Sequence, residues 1–224
     1  MRDAIGRIAV LAVIVGATTA LAAAPASSPV PGQPAEPAPA PAPKGIVGAA
    51  AAPADAPGRL LISERFEYYR VDATTRHALK QQLDEAMSRI GGDKVGRTEQ
   101  SLRSSYELVA TPSGCRFQDL VVSLDITIHL PEWRPEGKRP YKLGKRWDAM
   151  IAALALHEEG HRDLAVDAAH YLLAQLRAIA GDLDCKAMRR AAGKAFLDAR
   201  LRHGILDGAY ERRTRHGIAQ GATL

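Results

Sequence analysis

LVVSLDITIHL, running from Leu120 to Leu130, is the stretch on which the fold turns. Leu120, Val122, Leu124, Ile126, Ile128 and Leu130 share one parity, while Ser123, Asp125, Thr127 and His129 take the other. A period of two gives a strand one buried face and one wet face. His129 falls on the wet parity and reads as a solvent-side strand residue. Pro131 has no N–H to give a ladder and is expected to end the strand. Upstream, Phe66 to Val71 (FEYYRV) and Arg103 to Ala110 (RSSYELVA) have the aromatic and β-branched character of two more strands. Between them Thr75 opens a helix in which Leu79, Leu83, Met87 and Ile90 recur every three or four residues, until Gly91-Gly92 stops it.

Past the strand the period becomes helical. Trp147 to Ala180 reads as one long helix with Gly181 as its stop, and Asp182 or Asp184 can cap another that runs to about His203. Strands early and helices late predict an α+β fold, a small antiparallel sheet packed with the long helix and a C-terminal helix. There is no internal repeat.

Composition divides the 224 residues further. Ten of the 14 prolines lie between Pro25 and Pro57, where only Glu36, Lys44 and Asp55 are charged, so residues 23–57 read as a Pro/Ala-rich disordered linker. Residues 58–224 are enough chain for one ordinary core. A formal charge of +5 with 5% aromatic residues argues against a nucleic-acid partner, which needs clustered cations and stacking rings. At the start, Arg2 and Arg7 precede the uncharged run Ile8 to Ala24, and Ala20-Leu21-Ala22 has the small-x-small pattern of a processing site. Residues 1–22 therefore read as a signal peptide cleaved after Ala22, which implies a periplasmic or secreted protein. The run of 17 residues is short for a membrane span of about 20, so no stable span is expected to remain. No Cys stands at the cleavage region to carry a lipid. In an oxidising compartment Cys115 and Cys185, the only two cysteines, are expected to form a disulfide.

The chemistry lies in the long helix, in Ala155-Leu156-His157-Glu158-Glu159-Gly160-His161. Two His at i and i+4 lie about 40° apart around a helix, so both rings can reach one ion, and Glu158 stands beside them as a base for water. With 7 His and 11 Glu in the chain, chance produces this HExxH about 0.01 times. Apolar neighbours such as Met150, Leu154, Leu172 and Leu176 make the helix mostly buried, and buried imidazoles require partners. Gly160 costs about 1 kcal/mol relative to Ala in a helix, which points to close approach of another segment or of substrate. A catalytic zinc ordinarily takes three protein ligands. Asp163, Asp167 and His170 lie about 220–280° around the helix from His157, leaving Asp198, His203, Asp207, Glu211 and His216 as downstream choices.

An exported chain with GCRF at Gly114, the strand LDITIHLP, WDAMIAALALHEEGH and a closing Thr214-x-His216-Gly-x-x-Gln-Gly-Ala222 resembles the bacterial predicted secreted zinc-dependent proteases, the domain-of-unknown-function family numbered 922. The similarity covers about Leu60 to Ala222. It implies a zinc peptidase with one Zn2+ per chain, His157 and His161 as ligands, Glu158 as general base and a peptide or protein as substrate. His216 is the choice for third ligand, since its Gly-bounded segment could turn the ring toward the helix, and Tyr210 is a candidate oxyanion donor. The alternative is a non-catalytic envelope domain whose zinc is structural, or which binds a partner; a fourth protein ligand would mark it.

Overall fold

The computed structural model describes residues 58–89 and 94–224. The expected signal peptide and linker, and the Ile90 to Gly92 end of the first helix, lie outside them. Seven elements follow in order: β1 (Arg59–Val71), α1 (Arg76–Arg89), β2 (Arg97–Thr111), β3 (Gly114–Trp133), α2 (Tyr141–Arg177), α3 (Cys185–Thr214) and a short 3-10 turn, Ile218–Gln220. This is the expected α+β arrangement, a three-stranded sheet with helices.

The sheet has the order β1-β3-β2, with the long alternating strand at its centre. β2 and β3 form an antiparallel hairpin closed at Thr111 and Gly114. β1 instead pairs parallel to β3, from Arg59 opposite Val121 to Val71 opposite Trp133, so the expected all-antiparallel sheet is corrected to a mixed one. The cause is the connection: α1 and β2 intervene between β1 and β3, giving the crossover length a parallel neighbour needs. Pro131 does not end β3. β2 reaches only as far as His129, so Pro131 sits where β3 has β1 alone beside it, an edge position that tolerates a missing N–H.

Alternation in β3 begins at Leu120 for a structural reason. Cys115 and Phe117 are buried on odd numbers and Leu120, Val122 and Leu124 on even ones. The switch falls at a pairing irregularity between Ser105 and Glu107, opposite Asp119, which adopts φ 51°. An extra residue at such a bulge turns the parity over.

The even face of β3 packs on Leu154, Ala169, Leu172 and Leu176 of α2, and Met188, Ala192, Ala195 and Ala199 of α3 complete this core. A second cluster joins α1 to the far end of the sheet through Leu79, Leu83, Val71, Trp133, Trp147 and Met150. The Cys115–Cys185 disulfide ties the start of β3 to the start of α3. Asp184 caps α3 by accepting from the Ala187 N–H at 2.7 Å. α3 runs past His203 to Thr214, because Gly204 and Gly208 are carried within the helix and the stop comes at Arg215, in the left-handed region. His129 is on the outer face, as its parity requires, but its side chain is only 13% exposed under Glu67 and Glu99 of the neighbouring strands.

Candidate functional site

α2 and α3 lie side by side, and the site forms where their facing turns meet the start of β2. α2 supplies His157, Glu158 and His161. Asp207 and Glu211, one helical turn apart, and Tyr210 come from α3, Thr98 comes from β2, and Gly96 stands just before that strand. All of these except Tyr210 border a cavity of about 330 Å³.

His157, His161 and Glu211 form a group that could hold a metal ion. The two Nε2 atoms are 3.3 Å apart, with Glu211 Oε2 3.5 Å from that of His157 and Oε1 3.6 Å from that of His161. Ligand atoms at about 2.0–2.2 Å from one ion with tetrahedral angles lie about 3.3–3.6 Å from each other, a spacing the imidazole pair has and that Glu211 matches with one oxygen toward each ring. The outer nitrogens are held as well: His157 Nδ1 meets Gln220 Oε1 at 3.0 Å and His161 Nδ1 meets Asp207 Oδ1 at 2.6 Å. Donation from both Nδ1–H groups leaves both Nε2 lone pairs aimed at the common point.

The electrostatics follow from burial and neighbours. Burial lowers the His157 pKa. Burial opposes charge on His161 too, but the Asp207 hydrogen bond and charge, with Glu158 and Glu211, hold its pKa above the ordinary value. Burial acts against the charged form of Glu211, yet Lys94, 2.7 Å away, keeps its carboxyl below the usual range. The Asp207 carboxyl is held low by its bond to His161. Glu158 is buried, at 3% exposure, and burial raises its pKa against the bond it accepts from the Thr98 hydroxyl at 2.7 Å. Gly96 makes room for it, since a Cβ there would lie 2.6 Å from Glu158 Oε1. A sequestered carboxylate with a raised pKa beside two imidazoles is suited to accepting and returning a proton.

Tyr210 stacks on the His157 ring at 5.3 Å and 14°. Its hydroxyl donates to the His157 carbonyl at 3.1 Å and accepts from the Gln220 amide at 3.3 Å. Those bonds make it a support for His157; the phenol expected to meet an oxyanion is already engaged. Gly160 is explained by the same contact, because a Cβ there would lie 2.1 Å from the Tyr210 oxygen.

The third donor of the group is Glu211, one of the five downstream choices, in place of His216. Arg215 and His216 have φ of 52° and 56°, and the reversal after α3 leaves the His216 side chain 56% exposed, with Nδ1 2.9 Å from Glu211 Oε2. The Gly-bounded segment does turn toward α2. A Cβ at Gly217 would lie 3.2 Å from His157 Cγ, and the residue the segment delivers to His157 is Gln220. Asp198 pairs with Lys194 on the surface, and His203 faces Gln100 at 3.1 Å. Thr98, Lys94 and Gln220 were not readable from local sequence. Asp207 and Glu211 carry a usable signal, the i, i+4 spacing on a helix that continues past Gly204.

No curated protein and no solved structure matches the chain. The profile of the family described as "Bacterial protein of unknown function (DUF922)" matches residues 66–217, and the chain belongs to that family.

Proposed function

We propose that the chain is an exported zinc-dependent hydrolase that cleaves peptide bonds with Glu158 as general base. The observation that carries this reading is the spacing of His157, His161 and Glu211 together with the buried carboxylate of Glu158 next to them. Among the described residues the group has three donors, which leaves a fourth tetrahedral position for a reacting molecule and favours catalysis over a closed structural site. Zinc bound there supplies Lewis-acid chemistry, lowering the pKa of water and polarising a carbonyl.

The side chains do the rest. Gln220 and Asp207 keep the two imidazoles in register, and Tyr210 fixes His157 from behind. Glu158 takes a proton from the attacking water and returns it to the departing amine, with the Thr98 hydroxyl holding the carboxylate in place between the two transfers. Export is supported by the leader and by the Cys115–Cys185 disulfide. Among the described residues no helix is long and apolar enough to cross a membrane.

The test is Glu158→Gln assayed on an unstructured protein such as casein. Zinc content should match the parent and the hydrolysis rate should fall at least about 100-fold, the usual share of a general base. Cleavage by the variant at the parental rate would contradict the assignment.

A further inference from the structure

A second cavity, of about 440 Å³, adjoins the candidate site along β2. Leu102, Leu124, Ala165, Ala168 and Phe196 form its apolar side, Ser101 and His203 line it as well, and Gln100 borders both cavities. β2 is an edge strand, so one side of its backbone is free of strand partners. Thr98, Gln100 and Leu102 share a parity and face the helices: Thr98 holds Glu158, Gln100 meets His203 and Leu102 forms the wall. At about 3.3 Å per residue the cavity lies roughly 7 to 13 Å along the strand from Thr98, a reach of two to four residues.

The cavity also has a polar side. Arg200 lines it, is exposed and makes no ion pair among the described residues. Arg200 stands seven residues before Asp207 on α3, roughly 10 Å farther from the metal-donor group. The groove continues beyond it, between Leu102 and Tyr106 of β2 and Gly193 and Phe196 of α3, so a bound chain need not end at the arginine. A Cβ at Gly204, on the rim, would have nothing within 4 Å, which leaves the entrance open.

We infer that this cavity is the specificity pocket of the site: it takes a bulky apolar side chain of an extended peptide lying along β2, and Arg200 pairs with the carboxylate of an Asp or Glu that follows. The assignment rests on reading the adjoining cluster as a hydrolytic centre, and its test reads binding so that the two can fail separately. The full chain carrying Glu158→Gln is titrated with fluorescein-labelled Gly/Ser peptides, blocked at the C-terminus, that contain a single Leu-Glu, Ala-Glu or Leu-Gln pair.

Leu-Glu should bind at least about tenfold more tightly than Ala-Glu, by the burial of the larger side chain. Arg200→Gln should bring Leu-Glu down to the level of Leu-Gln and leave Leu-Gln unchanged. Gly204→Trp should weaken both Leu peptides. Arg200 is exposed and serves as the variant whose folding is not at risk; the melting temperature checks the other. Equal binding of Leu and Ala peptides, or an equal effect of Arg200→Gln on Leu-Glu and Leu-Gln, overturns the inference. Peptides that show the pattern yet stay uncut by the parent defeat the hydrolytic reading and leave the pocket; peptides cut without any Leu-Glu preference defeat the pocket alone.

Discussion

Replacing Gly160 with Ala places a methyl group where Tyr210 already stands. The new Cβ would lie 2.1 Å from the phenol oxygen, 2.3 Å from Cζ and 2.9 Å from Cε2. Tyr210 is buried, at 9% exposure, and bonded to the His157 carbonyl, so it cannot swing aside freely. Relief of such overpacking costs about 1–3 kcal/mol. Loss of the hydrogen bond adds about 1 kcal/mol, and the better helix propensity of Ala returns about 1 kcal/mol. The net expectation is a destabilisation of about 1–3 kcal/mol. Urea unfolding followed by circular dichroism should show a lower midpoint at unchanged slope. In a Tyr210→Ala background the same substitution should cost nothing, because the obstructing ring is gone. A Gly160→Ala protein more stable than its parent by about 1 kcal/mol, the result for an open helical glycine, would refute the close contact between α2 and α3.

Two further outcomes concern the disulfide and the buried carboxylate. Replacing Cys115 and Cys185 together with Ser should lower stability by about 4 kcal/mol, the loop-entropy figure for closure over a separation of 70, and guanidinium unfolding of the parent with reductant should fall by the same amount. The pKa of Glu158 is raised in the fold by burial, so the metal-free folded chain binds more protons than the unfolded one between the unfolded value, about 4.3, and the folded value. Stability measured in a chelator should therefore fall as pH rises through that window, whereas Glu158→Gln should lose this slope and exceed the parent above it; identical pH profiles would contradict a buried, raised carboxyl.

What was legible in the sequence was local. The two-residue period from Leu120 and the i, i+4 spacing of His157 and His161 need only one element each to be read. Gly160 was legible as a point of close approach, and Tyr210 is the group that approaches. The parallel pairing of β1 was not, because it depends on α1 and β2 standing between the strands. The upstream half of β3 was hidden by the bulge, which moves its buried residues to the other parity. α3 was read short because a glycine after His203 resembles a stop, yet Gly204 and Gly208 sit within a helix anchored earlier by Ala192, Ala195 and Ala199. That shortening hid the helical spacing that puts Asp207 and Glu211 on one face, though both stood among the downstream choices. His216 stands outside the donor group for a related reason: which residue of a Gly-bounded turn meets the helix depends on the φ of Arg215 and His216, and Gln220 is the one that does.

The most direct measurement is zinc per molecule, by elemental analysis, in the purified chain and in Glu211→Ala, His161→Ala and His216→Ala. The account predicts one zinc in the parent, one in His216→Ala, and loss in both Glu211→Ala and His161→Ala, with all four folded by circular dichroism. A parent that takes up no zinc at neutral pH, or a Glu211→Ala protein that holds it as tightly while His216→Ala does not, would contradict the account.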